Sequence, residues 1–157
     1  MENKRNIKSE RLVFVVILFS SLIFLGCIGA KTTSEISDKE KQAFTSQVAD
    51  TVEISDPESN YEIIIIEPGF NVWLQTVARP EGYYSQTFLE TRNRLYVIEW
   101  NNRVINTMQY NPQLYELQIN YDPMIDYGYE VNYKLYNYFI YFQRRYNQRL
   151  GPFFPRI

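Results

Sequence analysis

"YNPQLYELQINYDP", residues 110–123, is the stretch on which the fold turns. Tyr110-Asn111-Pro112 and Tyr121-Asp122-Pro123 bracket it. Between them Tyr115, Leu117 and Ile119 alternate with Glu116, Gln118 and Asn120, the period of a half-buried strand. Asn111-Pro112 also suits a helix start, so the local pattern alone leaves strand and helix open. A second segment breaks the tie. "YEIIIIE", residues 61–67, has the length and β-branching of a strand buried on both faces. A lone buried strand leaves its backbone groups unpaired, and 110–123 is the best available partner. The expected class is therefore α+β: a small compact domain in which two or three aromatic-rich helices pack on a minimal sheet.

Working outward, Pro68-Gly69 ends the isoleucine run, and "FNVWLQTVA" reads as a short helical turn closed by Arg79-Pro80 and Gly82. Ser85 is placed to cap a helix over "YYSQTFLETRNRLYVIEWNNRVIN". Leu89, Tyr96, Trp100 and Val104 fall on one side of it. Tyr84, Phe88, Leu95 and Ile98 fall on another, so burial on two sides is expected. Tyr96, Ile98 and Trp100 also alternate, which leaves a strand over 95–100 open. The last element is the clearest. In "YEVNYKLYNYFIYFQRRYNQRL", Val131, Leu135, Tyr138, Phe139, Phe142 and Tyr146 make one helical stripe, and Tyr129, Tyr133, Tyr136 and Ile140 a second apolar side. Gly151-Pro152 ends this helix. "GPFFPRI" is a tail able to fold back through Phe153 and Phe154.

The other end of the chain gives an address. Lys4, Arg5, Lys8 and Arg11 precede the uncharged apolar run Leu12–Leu25, the layout of a secretory signal peptide. Gly26-Cys27 then follows, with the only cysteine in the chain. This end resembles a bacterial lipoprotein signal, in which the cysteine is acylated and becomes the new N-terminus. Phe24 and Leu25 depart from the residues usual there. Each buried methylene contributes about 0.8 kcal/mol, so several acyl chains anchor firmly. An uncleaved anchor over Leu12–Ala30 is the alternative, nearly long enough to cross a bilayer of about 30 Å. A thiol with no role is a third. In either membrane reading the remainder is exported, and with one cysteine it folds without disulfides.

From Lys31 to Asn60 seven acids face three lysines, and Phe44 is the only aromatic. Such a segment buries too little surface to offset its ordering entropy, so a flexible acidic tether is expected. All fourteen tyrosines and both tryptophans lie beyond residue 60. The expected organisation is a signal peptide over 1–26, lipidated Cys27 and tether over 27–60, a globular domain over 61–150 and the tail over 151–157.

The stretches "PGF-x3-L", "GYYSQTFLETRNRLYVIEWNNRV" and "IDYGYEVNYKLYNYFIYFQRRYNQRL" resemble a family of small Bacteroidota lipoproteins of unknown function. The resemblance implies an envelope location. It brings no activity, ligand or catalytic residue.

The side-chain inventory excludes several chemistries. Without histidine there is no Ser-His-Asp or Cys-His catalysis and no zinc site of the usual type. No phosphate loop or dinucleotide fingerprint is present. No cofactor or metal is expected. Nine basic and seven acidic residues from Pro68 onward argue against nucleic acid as a partner. Glu90, Glu99, Asp122, Asp126 and Glu130 remain as candidates for a carboxylate pair of the glycoside-hydrolysing kind. Their ordinary alternative is pairing with arginines, with Asp126 capping the last helix. The aromatic density suggests a binding patch of Tyr83 and Tyr84 with Trp100, Asn101, Asn102 and Arg103, suited to a sugar ring or a protein partner. The ordinary alternative there is packing in the core. The leading expectation is a membrane-anchored lipoprotein, on the outer membrane facing the periplasm, with a non-catalytic binding or scaffolding role. The alternative is a glycan-active hydrolase.

Overall fold

The computed structural model describes residues 35–46, the backbone of 51–55 and 62–66, and residues 67–157. They belong to one compact unit, Glu35–Ile157. The signal, Cys27 and the start of the tether lie outside the described residues. The element order is α1 (Asp38–Thr45), β1 (Thr51–Ser55), β2 (Glu62–Ile66), α2 (Phe70–Thr76), α3 (Gln86–Ile105) and α4 (Gly128–Arg145).

The α+β expectation is corrected. The domain is all-α: the buried core among the described residues comes from the helices and the connections beside them. The isoleucine segment does extend as β2, but it pairs antiparallel with β1, Val52 opposite Ile65 and Ile54 opposite Ile63. Two strands make a hairpin, not a layer on which helices can be stacked.

Residues 110–123 are neither strand nor helix but a run of turns. Their alternation is false as a burial pattern. Tyr115 is 2% exposed, Leu117 is 78% exposed, and Ile119 is half-buried. The backbone finds its partners in side chains of α3 instead of in a sheet. Trp100 Nε1 donates to the Leu117 carbonyl at 2.9 Å. Asn101 donates to the Ile119 carbonyl at 2.9 Å and accepts from the Ile119 N–H at 2.8 Å. One primary amide thus supplies the donor and acceptor that a neighbouring strand would have supplied.

The helix over 83–106 forms as α3, helical throughout 95–100. Ser85 is its N-cap and accepts from the Phe88 N–H at 3.3 Å. Leu89, Tyr96, Val97 and Trp100 are buried against α4. The expected second buried side is only half realised: Tyr84 and Phe88 pack on Tyr136, whereas Leu95 and Ile98 face solvent. Helix α4 is the centre of the domain, with twelve of its eighteen residues buried. Three buried amides on it satisfy themselves one turn back: Asn132 on the Gly128 carbonyl, Asn137 on that of Tyr133 and Gln143 on that of Phe139, at 2.8 to 3.0 Å.

The tether expected over 27–60 also needs correcting where it is described. Residues 38–45 are α1, opened by a capping box between Ser37 and Glu40. Ala43 of α1 is buried, and Gly69 lets α2 start against it. Gly69 has φ +82°, and a β-carbon there would collide with the Ala43 carbonyl oxygen. The composition of this segment is that of a coil, but one buried ion pair, Glu40 with Arg144, recruits it to the domain.

Candidate functional site

The patch anticipated from sequence divides in two. Trp100 and Arg103 are core. Trp100 packs edge-on to Phe142 and Tyr115, with centroids 4.7 and 5.0 Å apart. Arg103 donates to Glu99 at 2.7 Å, to the Tyr115 hydroxyl at 2.8 Å and to the Arg149 carbonyl. Burial works against its charge, but Glu99 and Tyr115 outweigh that and raise its pKa. Asn101 is committed to Ile119, and Asn102 stays exposed.

Tyr83 and Tyr84 lie beyond the other end of α3, more than three turns away, and they do form a surface. Tyr83 is 57% exposed. The Arg79 guanidinium sits 4.9 Å from its ring centroid on the turn before α3. Tyr83 meets Tyr84 edge-on at 4.7 Å, and Tyr84 stacks on Phe88 at 4.7 Å with 11° between the planes. Phe88 lies 5.1 Å under the Arg92 guanidinium, one helical turn on. Arg92 in turn covers Phe153 at 3.3 Å. The result is a ladder of rings and cations, Arg79-Tyr83-Tyr84-Phe88-Arg92-Phe153. Its supports are firm: the Tyr133 hydroxyl donates to the Arg79 carbonyl at 2.7 Å, and the Gly82 N–H donates to the Tyr129 hydroxyl at 2.6 Å. Arg79, Phe88 and Arg92 were not among the sequence candidates. The i,i+4 spacing of Phe88 and Arg92 was the available signal; Phe153 closes the ladder only through tertiary contact.

The carboxylates are dispersed, with one exception. Glu99 pairs with Arg103, and Glu130 pairs with Lys134 at 2.6 Å. Asp122 accepts from the Met124 N–H at 2.8 Å, closing a turn. Asp126 accepts from the Gly128 N–H at 2.9 Å at the start of α4. The exception is Glu90 with Asp126. Gln86 Nε2 donates to both at 2.8 Å, which brings the two acids within about 6 Å, near the separation of retaining glycosidases. The amide of Gln86 occupies the gap. Beside them the Tyr121 hydroxyl donates to Asn132 at 2.7 Å. Burial, then the negative charges of Glu90 and its neighbours, push that phenol up to about 12. Among the described residues no group of three or more acids or thiols could hold a metal, and no helix is long and apolar enough to cross a membrane.

A family model covers residues 14–153, nearly the whole chain. The chain belongs to DUF6146, a family of unknown function. This bears out membership of an uncharacterised family, while the DUF6146 match leaves the bacterial group and lipid attachment as expectations. Beyond DUF6146, no curated protein and no solved structure matches the chain.

Proposed function

We propose that this chain is a membrane-anchored envelope lipoprotein, held by acylated Cys27, whose domain binds a partner without catalysis. The observation that carries the binding role is Tyr83, a largely exposed ring gripped between Arg79 and Tyr84 on a rigid support. Exposed tyrosine beside arginine is the composition of interaction hot spots, because both offer wide contact area and directed hydrogen bonds. An envelope protein is the partner this chemistry fits best, and a glycan the next. The periplasmic face of the outer membrane is the proposed location.

The test is cross-linking and affinity capture of the natively anchored protein. Tyr83→Ala should lose the captured partner with the chain still anchored. Cys27→Ala should release the chain from the membrane, and mass spectrometry should find acyl groups at position 27. Capture unaffected by Tyr83→Ala would overturn the binding face; an unmodified Cys27 would overturn the anchor.

The hydrolase reading keeps one supporting observation, the proximity of Glu90 and Asp126. Against it, Gln86 fills the space where a glycosidic oxygen would have to lie. Release of reducing sugar from envelope glycans by the purified chain, abolished by Glu90→Gln, would favour it.

A further inference from the structure

The segment Gly151–Ile157 turns at residues 151–153, with Gly151 at φ +73°, and its remainder runs over the body without regular structure. Phe153, Pro155 and Ile157 are half-buried, while Pro152, Phe154 and Arg156 are exposed. Alternate residues of the segment thus face the domain, as in a peptide laid on a surface. Arginines hold it, and they hold it by its backbone. Arg144 donates to the Pro155 carbonyl at 3.4 Å and Arg79 to the backbone oxygen of Ile157 at 3.2 Å, while Arg149, three residues before Pro152, donates to its carbonyl at 2.7 Å within the local turn. Backbone oxygens are common to every peptide, so the Arg144 and Arg79 contacts suit another segment equally well. Beside the tail, Arg92 is badly served. Its guanidinium lies 5.1 Å from the Phe88 ring and 3.3 Å from the Phe153 ring, and its Nη1 is buried with no hydrogen-bond acceptor. A buried charged donor without an acceptor is costly, and the tail offers a ring where a carboxylate would serve.

We propose that residues 151–157 occupy, in cis, a peptide-binding groove whose preferred occupant is a segment of a partner protein with an acidic side chain at the Phe153 position. Displacement of the tail then exposes Phe88 and Arg92 and lengthens the Tyr83 surface. This deepens the proposed binding role, on which it rests, by naming the partner as an acidic segment.

The experiment uses the full chain carrying Phe153→Ser, which loosens the tail, and two fluorescent heptapeptides as probes: the native tail GPFFPRI and its acidic counterpart GPEFPRI. The acidic probe should bind at least tenfold more tightly than the native one. Adding Arg92→Gln should remove that preference, and the unsubstituted chain should bind both more weakly. Equal binding of the two probes, no binding, or a preference that survives Arg92→Gln would overturn the proposal. Should the loosened chain fail to fold, Phe153→Glu in the otherwise intact chain should melt higher than Phe153→Gln; a Phe153→Glu melting point no higher than that overturns it equally. Tyr83→Ala should leave acidic-probe binding in place, so a failure of the groove and a failure of the exposed tyrosine face are told apart.

Discussion

Glu40 and Arg144 meet across 104 residues of sequence, with Nη2 of the arginine 2.7 Å from Oε2 of the glutamate and both side chains almost wholly out of solvent. The pair joins α1, which by composition belongs to a tether, to the last turn of α4. Ser37 completes the site by donating its N–H to the same carboxylate at 2.9 Å.

Removing one member of a buried pair leaves the other charged and unpaired, which costs roughly 3–5 kcal/mol. Glu40→Ala should therefore lower stability by about that much in urea unfolding, because Arg144 stays behind. Replacing both, with Glu40→Leu and Arg144→Met, should cost markedly less than the single change. Equal losses in the two variants would mean the pair is incidental.

Acid should act through the same carboxylate. Burial opposes ionisation of Glu40, but hydrogen bonds from Arg144 and Ser37 and the guanidinium charge prevail, holding its pKa below the ordinary 4.5. A depressed pKa gives stability that is complete above the unfolded value and is lost as pH falls through the folded one. Melting temperatures measured from pH 6 to pH 2 should fall more steeply in the native chain than in Glu40→Gln below about pH 4.5.

At the alkaline end the sign reverses. Burial, with the hydrogen bond to Glu67 and its charge, pushes Tyr146 up to about 12, and Tyr121 lies equally high. Both phenols keep their protons in the fold at pH values where the unfolded chain, with pKa near the ordinary 10.0, has released them. The stability they contribute is complete below pH 10 and drains away as pH rises toward 12. Ultraviolet titration of tyrosinate should show a late-ionising group of tyrosines that joins the early group in urea, and Tyr146→Phe should shrink the late step.

Asn101 should prove decisive for the 106–125 connection. Asn101→Ala removes both bonds to Ile119 and leaves partly buried backbone groups without partners, at about 1–3 kcal/mol each. Amide hydrogen exchange at Ile119 should accelerate strongly, with α4 amides affected only through the global loss. Unchanged protection at Ile119 would refute the pairing.

What could be read in advance follows the range of the interactions involved. Ser85, Leu89, Tyr96 and Trp100 made α3 legible, and the stripe from Val131 to Tyr146 made α4 legible, because capping and helical period are local. The misreadings were all settled over long range. Tyr115, Leu117 and Ile119 imitate a strand, but the partners that bind that backbone are the side chains of Trp100 and Asn101, which nothing in the sequence ties to it. Glu40 looks like any acid of a polar linker until Arg144 is found beside it. In the candidate surface the Tyr83-Tyr84 pair was visible as a run of adjacent rings. Trp100 and Arg103 carried the same residue types inward, since helical phase relative to α4, not residue type, decided their burial. Phe153 over Arg92 joins residues far apart in sequence, which only the folded chain brings together.

Arg144 also touches the Glu35 carbonyl at 3.1 Å and the Pro155 carbonyl at 3.4 Å. The earliest and the latest described segments are thus latched to one guanidinium on the central helix. Tension applied at Glu35 runs straight into that latch, so a pull from the leading side is borne at α4 before it can peel the hydrophobic interior apart.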